Sequence, residues 1–188
     1  MHGGGSMYEE TTFTRDCEVV VIPDGYETTI PEGAIGFITQ ILGGNFTVQM
    51  TNGYLVRIAG KDAEAIGREV EAPPDAVVDE DGNVVVNSET IWNRLRNCFD
   101  PEIPVNIVDL GLVYECEVED KGDESYRVMV RMTLTAPGCG MGQVLVDDVT
   151  YAVKNVPGVI ETDVDLVFDP AWNPELMTEA ARLELGLM

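Results

Sequence analysis

Val128-Met129-Val130-Arg131-Met132-Thr133-Leu134 runs into Thr135-Ala136-Pro137-Gly138-Cys139-Gly140-Met141-Gly142, and Gln143 to Asn155 runs out of it. The first part is apolar and β-like. The last carries Val144, Leu145, Val149, Ala152, Val153 and Val156 on one stripe, which predicts a core-facing helix over 141–155. Between them lies a strand-to-helix loop that holds a cysteine between two glycines. Backbone N–H groups at such a helix start are unpaired, and the helix dipole there favours negative charge. A thiol held there titrates below its free value of about 8.5 and can attack or bind metal. A lone cysteine is also commonly a small buried apolar residue, so position alone does not decide between the two.

Working outward, the carboxy-terminal part reads as alternating helices and strands. Asn87 or Ser88 caps a helix with Ile91, Trp92, Leu95 and Cys98 or Phe99 at helical spacing, which puts Cys98 in the core. Asp100-Pro101-Glu102-Ile103-Pro104 stops it, because residues before proline avoid the α region. A strand follows to about Glu119, Lys121-Gly122-Asp123 turns the chain, and Tyr126 to Thr133 pairs back. After the loop and its helix, Pro157-Gly158 leads into a third strand over 159–168. Asn173 then caps, with Pro174 at the first helical position, a last helix carrying Leu176, Met177, Ala180, Leu183 and Leu187. The order α-β-β-α-β-α predicts an α+β two-layer sandwich over 88–188, with a three-stranded sheet.

Residues 15–71 have a different rhythm. Cys17-Glu18-Val19-Val20-Val21-Ile22, Gly36 to Ile41, Phe46 to Met50 and Tyr54 to Ile58 read as strands joined by Pro23-Asp24-Gly25, Gly43-Gly44 and Asn52-Gly53 turns. This predicts a small antiparallel β meander or roll, with at best a short helix over 61–68. Gly43-Gly44-Asn45 lies between two strands, so it is a turn and not a phosphate loop. Residues 72–87 contain Pro73-Pro74 and several acids and read as an acidic linker with some β character. Residues 1–14 read as a tag or flexible tail, which places the only histidine, His2, outside the fold.

Composition excludes several classes. There are 34 acidic and 11 basic residues, for a net charge of −23, which argues against nucleic acid and anionic membranes as partners. No apolar run is long enough to span a membrane, and the start lacks a basic-then-apolar secretory signal. Cys17, Cys98, Cys116 and Cys139 are scattered without a C-x-x-C pair, which predicts free thiols in a reducing cytoplasm. Without a histidine in the fold no Ser-His or Cys-His catalytic pair can be written, so no enzyme is expected. Asp100, Glu102 and Asp109 are candidate site carboxylates, although acids in such loops are commonly turn and capping residues. A carboxylate beside the thiolate would raise its pKa unless a metal lay between them. Thiolate and oxygen ligands suit iron, zinc and iron–sulfur clusters. One cysteine cannot close a four-ligand site, whereas a homodimer would supply two and a partner the rest. Partial ligation of that kind suits a carrier that releases its cargo.

Three ordered motifs carry a family resemblance. They are Asp100 to Tyr114 (DPEIPVNIVDLGLVY), Leu134 to Met141 (LTAPGCGM) and Phe168 to Gly186 (FDPAWNPELMTEAARLELG). Together they resemble the iron–sulfur assembly domain family. Arg15-Asp16-Cys17, Leu42 to Val48 and Arg57-Ile58-Ala59-Gly60 are similar to the amino-terminal extension of SufT-type members. The resemblance implies an accessory maturation factor that delivers iron–sulfur clusters or iron, with Cys139 as the reactive or metal-binding thiol. It implies supporting roles for Asp100 and Glu102, within a loop that also holds Thr135, Pro137, Gly138 and Gly140. The implied partners are iron–sulfur assembly proteins and client apo-proteins. Relatives with the same domain assist phenylacetyl-CoA oxygenation, and a cluster-free protein scaffold is a third reading.

Overall fold

The computed structural model describes residues 9–100, 103–136 and 140–187, which fall into two compact units divided between Ala72 and Pro73.

The first unit is an antiparallel sheet of six strands. They are β1 (Glu9–Thr12), β2 (Cys17–Ile22), β3 (Glu27–Ile30), β4 (Ile35–Leu42), β5 (Asn45–Met50) and β6 (Leu55–Ile58), in spatial order β1-β4-β5-β6-β2-β3. Strands β4, β5 and β6 follow the expected hairpin path. Gly43 and Gly44 turn with φ of 60° and 82°, a conformation that glycine adopts without a Cβ clash. The remaining strands depart from a meander, because β2 returns to pair with β6 and β1 adds beside β4. Strands β1 and β3 carry polar sequences, Glu-Glu-Thr-Thr and Glu-Thr-Thr-Ile, so no alternation announces them. They are edge strands, held by pairing with a neighbour more than by burial. Thus residues 9–12, within the stretch expected as a tail, form a strand, and the adjacent Phe13 is 1% exposed in the core. Backbone hydrogen bonds from the Phe13 N–H to Ala34 and from the Gly33 N–H to Phe13 extend the β1–β4 ladder past the strand ends. The sheet curls around Phe13, Cys17, Val19, Val21, Ile38, Val48, Val56 and Ile58. A 3-10 segment, Gly60–Ile66, buries Ala63, Ala65 and Ile66 against this core and ends on left-handed Gly67.

The second unit has three helices, α1 (Ser88–Leu95), α2 (Gly142–Lys154) and α3 (Glu179–Glu184), and three strands, β7 (Val113–Gly122), β8 (Ser125–Met132) and β9 (Val159–Leu166). Strand β8 is central, antiparallel to β7 and parallel to β9. A parallel pair needs a crossover, which α2 supplies. Asn87 caps α1 by accepting from the Thr90 N–H at 2.9 Å. Ile91 and Leu95 of α1, Val144, Leu145, Val149 and Val153 of α2, and Val128, Val130 and Met132 of β8 share one core, where Cys98 is buried as expected. The order α-β-β-α-β-α and the three-stranded sheet agree with the sequence.

Three boundaries differ. The β7–β8 turn is Asp123-Glu124, both left-handed at φ 54° and 59°, one step after the expected turn. The segment 73–87 groups with the second unit. Val78 bridges to Val84, the Val84 N–H donates to Glu124 Oε1, and Val86 is 5% exposed in the core. The expected last helix is broken into a 3-10 turn, Pro174–Leu176, and the short α3. Thr178 caps α3 through its hydroxyl, which competes with continuous helix. Ala181 and Met177 are buried there, whereas Leu183 and Leu187 are exposed.

Candidate functional site

Strand β8 ends at Met132 and α2 begins at Gly142, so the loop of interest hangs between fixed points. The Thr133 N–H donates to the Leu112 carbonyl at 2.8 Å, and the Val167 N–H to the Met132 carbonyl at 2.8 Å. Leu134 and Met141 are buried at either end. A Cβ on Gly142 would meet Leu134 Cδ1 at 2.7 Å, so glycine lets the helix start pack directly on the strand exit. No side chain caps this helix, and its first turn carries no acidic residue. Thr135 is half-buried and Gly140 is exposed. Pro137, Gly138 and Cys139 lie outside the described residues, as does Glu102.

The strand exit adjoins the first motif. An isolated bridge pairs Phe99 with Asn106, and the Ile107 N–H donates to the Cys98 carbonyl at 2.9 Å. Asp100 sits inside this closed loop at 6% exposure and has a polar partner. Asn106 shapes the next turn. Its Oδ1 accepts from the Val108 and Asp109 N–H groups at 3.0 Å, and its Nδ2 donates to Asp109 Oδ2. Asp109 is thereby a turn residue, the ordinary role for a loop carboxylate.

The third motif straps this turn from the other side. Trp172 Nε1–H donates to the Leu110 carbonyl at 2.7 Å, the Thr178 N–H to the Asp109 carbonyl at 2.9 Å, and the Tyr114 hydroxyl to the Pro170 carbonyl at 2.7 Å. Gly111, at φ 80°, allows the closest approach. A Cβ there would lie 2.8 Å from the Leu176 carbonyl carbon. The three motifs are far apart in the chain, and hydrogen bonds bring residues 98–112, 133 and 170–178 to one end of the sheet. Sequence reading did not single out Asn106, Trp172 or Thr178 for this clamp, although the Asn-x-x-Asp spacing signals an Asx turn.

One polar atom at this end is unusual. Thr133 is fully buried, and its Oγ1 has no hydrogen-bond partner among the described residues. Buried hydroxyls are paired in the large majority of cases, and this one adjoins the loop that follows β8.

Cys17 and Cys98 are buried in separate units, and Cys116 is half-buried in β7. Burial pushes the Cys116 thiol up to about 11, with Glu117 adding to the shift, so it is a neutral S–H and a poor ligand. Burial also raises Cys17. Among the described residues no three His, Cys, Asp or Glu side chains gather closely enough to hold a metal ion. A closed structural site therefore has no ligand set among them. No helix among the described residues is long and apolar enough to cross a membrane.

Residues 88–166 match the family model for iron–sulfur cluster assembly protein. An Fe-S protein maturation auxiliary factor of Porphyromonas gingivalis is 46% identical over 100 residues, 53% of this chain and 91% of that one. The auxiliary factor YitW of Bacillus subtilis is 36% identical over 53% of this chain and 93% of its own. The auxiliary factor SufT of Staphylococcus aureus is 39% identical over 47% and 97%. About half of this chain thus accounts for nearly all of each relative, and the other half has no counterpart in them. Three relatives spanned almost end to end, together with the matched family model, establish that the chain belongs to the iron–sulfur cluster assembly protein family.

Proposed function

We propose that the chain is a non-catalytic accessory factor in iron–sulfur protein maturation. It holds iron or an iron–sulfur cluster in transit at Cys139 and passes it to client apo-proteins. The observation that carries this reading is the convergence of the three motifs at the sheet end from which the segment of Cys139 hangs. A hydrogen-bonded clamp next to a segment whose sequence offers one thiol suits a site that must both hold and release.

In this reading Cys139, three residues before the first residue of α2 in sequence, supplies a thiolate that the uncapped helix start favours through its dipole. Asp100 and Glu102 orient the cargo or its incoming donor from the neighbouring loop. Thr135, Pro137, Gly138 and Gly140 shape the loop, and the glycines leave room for a partner's ligands to approach. The remaining ligands come from a second copy or from the assembly protein or client in contact. The partners are proteins of the assembly machinery and their clients in a reducing cytoplasm. Nucleic acid and anionic membranes are disfavoured by the net charge of −23.

Anaerobic reconstitution with iron and sulfide tests this. Wild-type protein should retain both, with visible sulfide-to-iron absorbance, and Cys139→Ser should retain at least about tenfold less. Asp100→Asn should fall between them. Equal retention by wild type and Cys139→Ser would sink the ligand assignment and leave a scaffold that never touches cargo.

A further inference from the structure

The first unit has no counterpart in the three relatives above, and its surface is not that of a solvated sheet. Among its described residues the exposed large apolar side chains are Tyr26, Ile35, Phe37, Ile41, Tyr54, Leu55 and Val70. Five of these seven lie at one end of the sheet, where β4 and β6 begin and β2 ends, so they form a patch and are not scattered. The register runs one row across that end: Glu10 opposite Phe37, Phe37 opposite Gln49, Gln49 opposite Leu55, Leu55 opposite Ile22. The flanking residues Ile38, Val48, Val56 and Val21 face the core, so this row faces outward by strand alternation. Ile35 extends it along β4, and Tyr26 and Tyr54 stand in the turns that border it. Apolar residues clustered on an outer sheet face mark a contact surface more often than chance exposure does.

The border of this patch has one sign of charge. Glu10 closes one end of the row, Asp24 follows Ile22 at the other, and Glu27 adjoins Tyr26. None of the unit's described cations offers an exposed charge in this border, although Arg57 lies two residues from Leu55 on the same face of β6. Arg15 is held by Asp62 and Glu64, Arg68 by Glu9, Lys61 lies in the 3-10 segment, and Arg57 is 6% exposed. A second copy would set an acidic rim against an acidic rim, in a chain whose net charge is −23. An anionic membrane is repelled on the same ground.

We propose that the outer face of the six-stranded sheet, centred on Phe37 and Leu55, docks a protein partner whose apolar patch is bordered by lysine and arginine. The apolar row supplies contact area, and the carboxylate rim supplies orientation and encounter rate. This surface is independent of the cargo reading, so Cys139→Ser should leave it intact.

Fluorescence anisotropy on the full chain tests the proposal, with a labelled peptide of alternating leucine and lysine as probe and its leucine–glutamate counterpart as the charge-reversed control. The lysine peptide should bind and the glutamate peptide should not. Phe37→Ser combined with Leu55→Ser changes no charge and should weaken binding at least about tenfold. Glu10→Gln with Glu27→Gln leaves the apolar row untouched and should flatten the salt dependence, which for wild type should be about tenfold between low and high salt. Four outcomes with peptide or protein alone would overturn the proposal, and one with vesicles. They are unchanged affinity in the folded Phe37/Leu55 variant, an unchanged salt slope in the Glu10/Glu27 variant, equal binding of the glutamate peptide, or a wild-type dimer in sedimentation that the Phe37/Leu55 variant dissolves. Recruitment to phosphatidylserine vesicles through the same residues would equally overturn it.

Discussion

Cys116 shows how little a cysteine's identity says about its chemistry. It points to the core side of β7, opposite Val130 of β8, and burial lifts it from the ordinary thiol value of 9.0 to about 11. The folded state therefore keeps the proton after the unfolded chain has released it. A raised thiol pKa contributes stability that is whole below about pH 9 and is lost as pH rises through about 11. Cys116→Ala should remove on the order of 1–2 kcal/mol of alkaline destabilisation in that window, read from urea melts at successive pH values. Cys17, shifted in the same direction by burial, keeps a residual slope. An unchanged alkaline limb would show that Cys116 is hydrated in the folded state. The spacing of the four cysteines already predicted free thiols. Which of them is ionisable depends on burial, which spacing does not record.

Two elements of the second unit carry predictions. The first is the carboxy-terminal strap, whose Trp172 donates to Leu110 while Gly111 accepts the Leu176 carbonyl against its Cα. Trp172→Phe keeps an aromatic side chain but deletes the N–H donor and the five-membered ring, leaving the Leu110 carbonyl without that partner and a gap against the core. The expected cost is about 2–3 kcal/mol, from the lost hydrogen bond and the vacated volume together. Amide exchange at Thr178, whose N–H donates to Asp109, should accelerate more than exchange in β8. Uniform acceleration throughout the second unit would show that the strap is not a separate opening unit. The second element is the outer face of β7-β8-β9. There Arg127 lies between Glu119 at 3.8 Å and Glu161 at 3.0 Å and also meets Asp163, and Arg131 lies between Glu115 at 2.5 Å and Asp165 at 3.9 Å. These pairs are largely exposed and individually weak. Their role is to let two acidic strands flank a central one without mutual repulsion.

For the whole molecule the same competition has a different winner. Screening by salt weakens the Arg127 and Arg131 ladder, but it also screens the repulsion of 34 acidic residues against 11 basic ones. The surplus of 23 negative charges exceeds what two arginines neutralise. Raising sodium chloride from about 0.05 M to about 1 M should therefore raise Tm by several degrees, about 5 °C, in calorimetry. A fall in Tm would mean that the ladder outweighs self-repulsion. Much of this architecture was legible in the chain itself. The α2 stripe from Val144 to Val156, the Asn87 cap and the Gly43-Gly44 turn are local matters of period, capping and φ. So is the alternation that puts Glu115, Glu117 and Glu119 outside and Cys116 and Val118 inside. The three motifs named the family by residue order alone. What only the tertiary structure decided were long-range pairings: polar β1 and β3 as edge strands, β2 crossing to β6, residues 73–87 docked through Val86, and the strap on Leu110 and Gly111. In each the stabilising contact lies with residues distant in sequence, where neither hydrophobic period nor turn chemistry carries a signal.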